Sequence, residues 1–338
     1  MTGAPRRYNG GGRDAAGALY GGTRADWLDL STGINPVPYP IGRLSDDAWT
    51  ALPDGAATDR LIAAARRFWN VPLGTRIVAA PGASALIARM PDLADHTGVF
   101  IPGPTYNEHA AAFGAVPKAE CADPGASVHV YVHPNNPDGR LWPASVIGGR
   151  RLTIVDESFG DTVPEQSHVA RTQDTGIVVL KSFGKFWGLA GLRLGFAIGA
   201  PGTLAPRGSG RSLGDLLGPW PVSGPALEIG ARALEDEEWA QSTRKRLTRD
   251  AERLDRLATG AGAEIAGGTT LFRLYRVDDA AAWRDRLARH QVWSRIFPYS
   301  KTWVRLGLPH PDRWTQLETA LTSPGRTASR AHGHPPQG

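Results

Sequence analysis

Short apolar segments recur through the first two thirds of the chain, and turn-forming or helical stretches separate them. They are rich in aliphatic and β-branched residues. Runs of this kind are typical of strands that a parallel sheet buries on both faces beneath covering helices. They predict an α/β fold with a mainly parallel central sheet, whose strands lie at residues 76–80, 98–101, 127–132, 151–155, 176–180 and 194–198.

The pattern changes in the C-terminal third of the chain. Residues 225–258 carry dense charge and predict one or two long helices, and the strands of a second, α+β domain are predicted at residues 269–275, 292–297 and 303–306. Turn formers dominate both ends of the chain. The expected organisation is an N-terminal arm (1–35), a large domain (36–210), a small C-terminal domain (211–322) and a disordered tail (323–338).

The composition fits two packed domains without cross-links. The chain has 338 residues, 41% of them apolar, which is enough to bury a large core. Cys121 is the only cysteine, which excludes an internal disulfide and a cysteine zinc site, and no metal is predicted. No apolar run is long enough to span a membrane, and no signal-peptide stretch follows Arg6 and Arg7. We therefore expect a cytoplasmic protein with no membrane partner.

The charge balance admits two kinds of partner. The net charge is +5 and the isoelectric point about 9.5, values that are compatible with binding nucleic acid. However, the arginines and lysines are scattered, and no aromatic RNA-binding signature accompanies them. A modest positive field also suits an anionic substrate, so we expect a small-molecule substrate and no nucleic acid.

The strongest chemical signal is the segment Ser182-Phe-Gly-Lys185-Phe-Trp-Gly-Leu-Ala-Gly-Leu-Arg193, which directly follows a predicted strand. A lysine amine in this place can form an imine with an aldehyde cofactor. Ser182 and Arg193 offer a hydroxyl and a guanidinium to a phosphate, and the glycines let the backbone approach a bulky ligand. A single lysine is usually a solvated surface residue, but the whole segment predicts pyridoxal 5′-phosphate (PLP) on Lys185.

Two further polar groups follow predicted strands and suit the same cofactor. Asp156 ends the strand at 151–155, where α/β sheets place ligands, and its carboxylate could keep a pyridine nitrogen protonated. Asn136 lies in the turn His133-Pro-Asn135-Asn136-Pro-Asp-Gly139 and could donate to a phenolic oxygen. Taken alone, Asp156 is equally well explained as a helix N-cap, and the asparagines as part of an ordinary turn.

Two weaker signals lie earlier in the chain. Gly82-Ala83-Ser84 comes between a predicted strand and a helix, and the free N–H groups at a helix N-terminus attract phosphate. Tyr106, in Pro104-Thr-Tyr106, could stack on a pyridine ring. The alternatives are a plain turn with Ser84 as the helix cap and a tyrosine that packs in the core.

Two arginines near the C-terminus are candidates for binding an anionic substrate. Arg305 stands inside an apolar strand, where a charge is costly to bury unless it is paired. A substrate carboxylate is a suitable bidentate partner, and a structural Asp or Glu is the alternative. Arg295 could hold a second anionic group or lie on the surface.

Together these motifs resemble those of fold-type-I PLP enzymes of the class I/II aminotransferase group. The matching set runs from about residue 27 to residue 308 and comprises Gly82-Ala-Ser, Pro104-Thr-Tyr106, Asn135-Asn136-Pro, Asp156-Glu157 and Lys185 with Arg193. Within that group the chain is most similar to the threonine-phosphate decarboxylases of cobalamin biosynthesis. That likeness rests on four segments and on Phe159, where aminotransferases more often have tyrosine. The segments are Leu28-Asp-Leu-Ser31-Thr-Gly33-Ile-Asn35-Pro-Val-Pro-Tyr39-Pro, Asn135-Asn-Pro-Asp138-Gly-Arg140, the lysine segment Ser182 to Arg193, and Pro219-Trp-Pro-Val-Ser223-Gly-Pro.

The resemblance implies a homodimer and a role for each candidate residue. The catalytic groups would be Lys185, which carries the cofactor, Asp156 at its ring nitrogen and Tyr106 stacked on its ring, with Asn136 at the ring hydroxyl oxygen. The cofactor phosphate would be held by Gly82, Ala83, Ser84, Ser182 and Arg193. The substrate would be held by Arg305 at its carboxylate, by Arg295 at its phosphate, and by Gly33, Asn136 and Asn9.

Two positions depart from the relatives. These begin with His-Gly-Gly, whose histidine reaches the substrate phosphate, whereas this chain has Asn9 before its first glycines. Asn9 can hydrogen-bond a phosphate but carries no positive charge at neutral pH. Leu52 stands where relatives often have a tyrosine that reaches the cofactor phosphate from the partner subunit.

The resemblance implies decarboxylation of L-threonine O-3-phosphate to (R)-1-amino-2-propanol O-2-phosphate, with the bond to the carboxylate held perpendicular to the cofactor ring. An aminotransferase of the histidinol-phosphate type, or a decarboxylase of another phosphorylated amino acid, would use the same groups. Residue chemistry alone does not separate these activities. A non-catalytic basic binding protein is the third alternative, and it predicts a colourless protein with salt-sensitive DNA binding.

Overall fold

The N-terminal segment packs against the C-terminal part of the chain. The structure is a computed structural model that describes residues 11–95, 97–114, 125–205 and 210–323. The segment contains helix α1 (Arg13–Tyr20) and strand β1 (Leu28–Asp29), and β1 pairs in parallel with residues 292–293. The Trp27 ring lies edge-on to that of Trp293, with 6.0 Å between their centroids, and closes a small apolar cluster.

A six-stranded sheet forms the centre of the first two thirds of the chain. Its strands are β2 (Arg76–Ala80), β3 (Val99–Phe100), β4 (Val128–Val132), β5 (Leu152–Asp156), β6 (Ile177–Ser182) and β7 (Gly195–Gly199). Their order is β2-β7-β6-β5-β4-β3; strands β3 to β6 are mutually parallel, and β7 is antiparallel to both its neighbours. The prediction of a mainly parallel sheet is confirmed, and every strand end lies within two residues of the expected position.

Both faces of this sheet are buried, because successive strand residues point to opposite sides. Val178 and Leu180 of β6 join one apolar cluster, whereas Val179 between them joins another. Helix α4 packs in the cluster that contains Val178 and Leu180, and helix α3 packs in the cluster that contains Val179. The helices of this region are α2 (Asp47–Thr50), α3 (Gly55–Phe68), α4 (Ala83–Ile87) and α5 (Asn107–Ala112).

The C-terminal part folds around a four-stranded antiparallel sheet with the order β11-β12-β9-β8. The strands of this part are β8 (Glu264–Thr269), β9 (Phe272–Arg276), β10 (Val292–Trp293), which pairs with β1, β11 (Arg295–Phe297) and β12 (Ser300–Gly307). The predicted strands are present, with the segment at 292–297 divided between β10 and β11. The pattern does not predict β8, because Gly267 and Gly268 interrupt its apolar sequence.

Five helices of the described ranges follow β7 along the chain: α6 (Leu213–Leu217), α7 (Gly224–Glu235), α8 (Glu237–Gly260), α9 (Ala280–Ala288) and α10 (Trp314–Thr322). Of these, α6 packs against β2 and α7 against α3 of the first part. The predicted helical stretch at 225–258 is two helices. They separate at Asp236, whose carboxylate accepts a hydrogen bond from the Trp239 N–H and caps α8. Within the described ranges, no helix has the length and apolar character that a membrane span requires.

The two sheets lie within the ranges expected for the large and small domains, at residues 76–199 and 264–307, and the domain boundaries stay predictions. A backbone hydrogen bond connects the loop after β4 to β8 of the small sheet, since the Gly268 N–H donates to the Asp138 carbonyl at 2.8 Å. A Cβ at Gly139 would overlap the Gly268 carbonyl, so the contact requires glycine there. Residues 324–338 of the expected tail and Cys121 lie outside the described ranges.

Candidate active site

The carboxyl ends of β4, β5 and β6 meet at one edge of the central sheet, where a cleft opens. Residues from widely separated segments line this cleft, including β12 of the small sheet. Ten of the predicted site residues are among them: Gly33, Ala83, Ser84, Tyr106, Asn136, Asp156, Ser182, Lys185, Arg193 and Arg305. The structure thus brings the main candidates together, while their roles stay predictions.

Lys185 lies in the loop after β6 and is partly buried in the cleft. Its surroundings lower the pKa of its amine to about 8, because burial disfavours the charged form and the Arg305 charge adds to this effect; Asp156 opposes it. The Nζ atom lies 5.5 Å from the centre of the Phe159 ring. A lysine with this pKa is neutral, and therefore nucleophilic, in roughly a tenth of molecules at pH 7.

Asp156 ends β5 and is only 2% exposed. Its Oδ2 accepts from His109 Nε2 at 2.8 Å, and its Oδ1 accepts from the Ser158 backbone N–H and hydroxyl at 2.9 and 2.5 Å. Burial raises the pKa of Asp156, but these hydrogen bonds outweigh it, so the pKa lies below its ordinary value. The cleft therefore contains a buried, ionised carboxylate. Sequence reasoning missed His109, whose position three residues after Tyr106 gives no sign of this contact.

Asn136, in the loop after β4, and Arg305, on β12 of the small sheet, meet across the cleft. The Arg305 Nη1 donates to Asn136 Oδ1, and its Nη2 donates to the Ser31 carbonyl at 2.6 Å. The neighbouring Asn135 faces away and ties two loops together, since it accepts from the Thr105 hydroxyl at 2.6 Å. Arg305 is only 5% exposed, and the structure shows a side-chain amide and a carbonyl at its guanidinium. These two contacts hold the Arg305 guanidinium, a planar fork of N–H donors, at the cleft.

Arg193 lies at the end of the cleft formed by the start of α4. Its backbone is left-handed, with φ of 54°, and its guanidinium occupies the space that a side chain at Gly82 would need. Gly82 itself is the N-cap residue of α4 and has no side chain to cap it, so Ser84 is not the cap. Ser182 accepts from the Gly184 N–H at 3.2 Å and turns the loop toward this end. Hydroxyls, backbone N–H groups and a guanidinium converge here, a combination that suits an anion.

Tyr106 lines the same cleft at the N-cap position of α5. Burial raises the pKa of Tyr106 to about 12, and the charges of Asp156 and Glu108 contribute to the shift. Its hydroxyl therefore stays protonated at physiological pH. The ring is oriented edge-on to His109, with 6.2 Å between the ring centroids.

Gly33 and two phenylalanines form the apolar wall beside Lys185. The Phe159 and Phe272 rings lie 4.9 Å apart, edge to face. A Cβ at Gly33 would come within 2.9 Å of both rings, so only glycine fits while the rings keep these positions. Phe159 places a ring without a hydroxyl beside the amine.

Arg295 does not line the cleft, although it lies next to a residue that does. It is the direct cross-strand neighbour of Arg305 in the β11–β12 ladder, so both side chains emerge on the same face of the sheet. Its guanidinium lies 5.7 Å from the Phe297 ring centre. Arg295 therefore lies beside the cleft, and its predicted role in binding a substrate anion stays a prediction.

Asn9 lies outside the described residues. The nearest described contact is that of Gly11, whose N–H donates to the Ser31 hydroxyl at 2.8 Å. Ser31 also accepts from Arg305 through its carbonyl, so the chain at Gly11 lies near the substrate-binding candidates. Leu52 is 68% exposed and lines a separate surface cleft, away from Lys185.

The chain is similar to known proteins in sequence and in fold. The family model for aminotransferases of class I and II matches residues 122–321. A threonine-phosphate decarboxylase of a Sinorhizobium species is 40% identical over 89% of this chain and 92% of that protein, and one of Pseudomonas aeruginosa is 36% identical over 93% and 96%. The solved structure of histidinol-phosphate aminotransferase from Sinorhizobium meliloti in complex with PLP aligns with a TM-score of 0.77 at 19% identity, over 95% of this chain and 98% of that one. The predicted fold class is confirmed.

Proposed function

Since this chain belongs to the aminotransferase class I and II family of PLP-dependent enzymes, we propose that it decarboxylates L-threonine O-3-phosphate to (R)-1-amino-2-propanol O-2-phosphate in cobalamin biosynthesis. The observation that carries the proposal is one cleft that combines the Lys185 amine, the buried Asp156 carboxylate and the Arg305 fork. Decarboxylation is preferred over transamination because the two relatives at 36 and 40% identity are both named threonine-phosphate decarboxylase.

The chemical groups of the cleft fit PLP. When bound, PLP supplies an aldehyde that captures an amine and a ring that withdraws electrons from the reacting carbon. Lys185 offers an amine with a lowered pKa, and Asp156 offers the buried carboxylate that would keep the ring nitrogen protonated. Asn136 would donate its amide N–H to the phenolic oxygen, and Tyr106 would flank the ring.

The anion-binding end of the cleft would hold the cofactor phosphate. Arg193 supplies the positive charge, and the backbone at the start of α4 supplies N–H donors beside it. The residues that we assign to this phosphate are Gly82, Ala83, Ser84, Ser182 and Arg193. This assignment separates the cofactor phosphate from the substrate phosphate, which would lie toward the small domain.

The substrate would be fixed by its two anionic ends. Arg305 would bind the α-carboxylate with its fork of donors, and Arg295, on the same sheet face, would bind the phosphate. Gly33, Asn136 and Asn9 complete the proposed substrate contacts. Holding both ends fixes which bond at the α-carbon is oriented for cleavage, and positioning of this kind decides between decarboxylation and transamination.

We propose that the enzyme is a homodimer. Leu52 and Trp220 are exposed apolar side chains, 68% and 57% exposed, that line two surface clefts sharing Pro53, Asp54 and Leu227. Exposed apolar side chains grouped on one surface are candidates for an interface between subunits. Sedimentation velocity should show a dimer in the wild type and monomer in Trp220→Asp; a monomeric wild type would refute this part of the proposal.

The activity is tested by incubating the protein with PLP and L-threonine O-3-phosphate. Carbon dioxide release without added 2-oxoglutarate is the expected result, and a keto-acid product that requires 2-oxoglutarate would favour an aminotransferase. Lys185→Ala should abolish turnover, whereas Lys245→Ala, at an exposed lysine on α8, should not. A colourless protein that binds DNA in a salt-sensitive way would contradict the proposal altogether.

The identity of the substrate is tested separately because of Asn9. A panel of phosphorylated amino acids should be compared between the wild type and Asn9→His. If Asn9 contacts the substrate phosphate, the added histidine should lower KM for the preferred substrate and leave KM for PLP unchanged. An equal KM in both proteins would remove Asn9 from the proposed site.

A further inference from the structure

The backbone of the loop that begins at Lys185 is held by the N-terminal segment. The Lys185 carbonyl accepts from the Asn35 backbone N–H at 3.0 Å, and the Phe186 carbonyl accepts from the Asn35 side-chain Nδ2 at 2.8 Å. One residue therefore binds two successive carbonyls at the proposed cofactor lysine. Two residues further on, the Trp187 carbonyl accepts from the Tyr39 N–H at 2.9 Å.

Asn35 is itself fixed on its other side by the small domain. It is 2% exposed, and its Oδ1 accepts from Arg246 Nη2 at 2.7 Å and from the Val37 N–H at 3.1 Å. Arg246 lies on α8 and also pairs with Asp250 at 3.2 Å, which holds its guanidinium in place. The Arg246 and Val37 donors together fix which way the Asn35 amide faces, since both bind its Oδ1 and leave its Nδ2 to donate to Phe186.

The other side of the loop is held differently. The Trp187 ring stacks between those of Phe183 and Trp239, at 5.1 and 5.3 Å, and its Nε1 donates to Asp161 at 3.0 Å. These contacts anchor the loop two residues after the lysine. They do not engage the Lys185 carbonyl, which receives the Gly188 N–H of its own turn and the Asn35 N–H.

We propose that Asn35, oriented by Arg246, is a positioning residue that sets where the Lys185 amine meets the cofactor. The inference rests on the proposed function, in which Lys185 carries PLP. A displaced carbonyl at position 185 moves the Cα and hence the amine, and small displacements of a reacting group are costly. Arg246 and Arg305 both lie in the proposed small domain. The position of that domain would therefore set both the Arg305 guanidinium, which would bind the substrate carboxylate, and the Lys185 amine.

The decisive variant is Asn35→Asp, which keeps the shape and the acceptor for Arg246 but places an oxygen against the Phe186 carbonyl. The control is Tyr275→Phe, which removes another buried hydrogen bond, from the Tyr275 hydroxyl to Asp255 at 2.8 Å, without touching the loop. The measurements are the dissociation constant of PLP, the pH midpoint of the bound cofactor's visible absorbance, kcat and KM for L-threonine O-3-phosphate, and Tm.

We expect Asn35→Asp to bind PLP about tenfold more weakly, the factor that one lost buried hydrogen bond corresponds to. The absorbance midpoint should shift and kcat should fall, while KM stays within about twofold because Arg305 is untouched. Tyr275→Phe should change only Tm. If a folded Asn35→Asp keeps the wild-type PLP affinity, absorbance midpoint and kcat, Asn35 is merely structural and the inference is wrong.

Two further results separate this inference from the proposed function. If Asn35→Asp does not fold, Arg246→Met decides, since methionine has no N–H to donate to Asn35 Oδ1; a wild-type PLP affinity and absorbance midpoint would again overturn the inference. If the wild type itself fails to bind PLP at Lys185, the proposed function fails first. A wild type that decarboxylates normally beside an unaffected Asn35→Asp refutes the positioning role alone.

Discussion

Replacing Gly82 by alanine should weaken PLP binding through Arg193 while the fold remains intact. Gly82 has φ of +87°, and an added Cβ would lie 2.6 Å from Arg193 Nη2 and 2.9 Å from its Cζ. Atoms this close must separate. The guanidinium is the distal end of a long, flexible side chain, so it moves more readily than the backbone does. The substitution thus displaces the cation that we assign to the cofactor phosphate.

The expected magnitude follows from two separate costs. An alanine at Gly82, where φ is 87° and ψ is 156°, costs about 1–3 kcal/mol of stability, which lowers Tm by several degrees in a chain of this size. Displacing the guanidinium forfeits one charge-assisted hydrogen bond, about 1.5–3 kcal/mol, which corresponds to roughly a 10- to 150-fold higher Kd for PLP. The second cost is expected only at position 82.

Gly74 provides the matched control, because its φ is also +87° and no heavy atom lies within 4 Å of an added Cβ. Gly74→Ala should therefore lower Tm through backbone strain alone and leave PLP affinity unchanged. Both variants can be titrated with PLP as apo-protein by following absorbance. Equal PLP affinity in the two variants would refute the reasoning, as would a Gly82→Ala protein that binds PLP like the wild type.

Three further predictions concern the same cleft. PLP uptake by the apo-protein should reach half its maximal rate near pH 8, because the lowered pKa of Lys185 makes the neutral amine available there; a rate that still climbs above pH 10 would contradict this. His109→Phe removes a donor to Asp156 and should raise the pKa of that carboxylate, so the acid limb of the kcat/KM profile should move to higher pH; an unmoved limb would argue against the contact. Arg305→Lys should lower kcat/KM about 10- to 150-fold with PLP affinity retained, and loss of PLP binding instead would reassign Arg305 to the cofactor.

The central sheet could be predicted from the sequence because its strands are buried on both faces. Segments such as Val128–Val132 and Leu152–Asp156 are buried at every position, so their short apolar runs are visible without knowledge of the fold. The sequence signal for the small four-stranded sheet is weaker. Strand β8 is largely exposed or half-buried and contains Gly267 and Gly268, and its pairing with β9 depends on tertiary contacts that no local pattern shows.

The sequence predicts those site residues whose side chains suit the cofactor and which also lie at the carboxyl end of a predicted strand. Asp156 ends β5 and Asn136 lies in the loop after β4, and because the carboxyl ends of these parallel strands meet at one edge, the topology brings the two residues together whatever the intervening sequence. His109 and Arg246 act through other residues, and their partners Asp156 and Asn35 are 47 and 211 residues away. Contacts of that kind arise from packing, so the sequence alone gives no reason to select these two side chains.

The two lysines at the end of β6 show why residue type alone does not identify the reactive amine. Lys181 and Ser182 point to opposite faces of the strand, and Lys181 enters the interior, 2.6 Å from Glu157 and 3.5 Å from Asp161. Burial lowers the pKa of Lys181, but these two carboxylates outweigh it and the pKa is raised. Lys185 faces the cleft with Arg305 nearby and has its pKa lowered. Because the strand ends between them, one amine is fixed as a cation in an ion pair and the other is left available for chemistry.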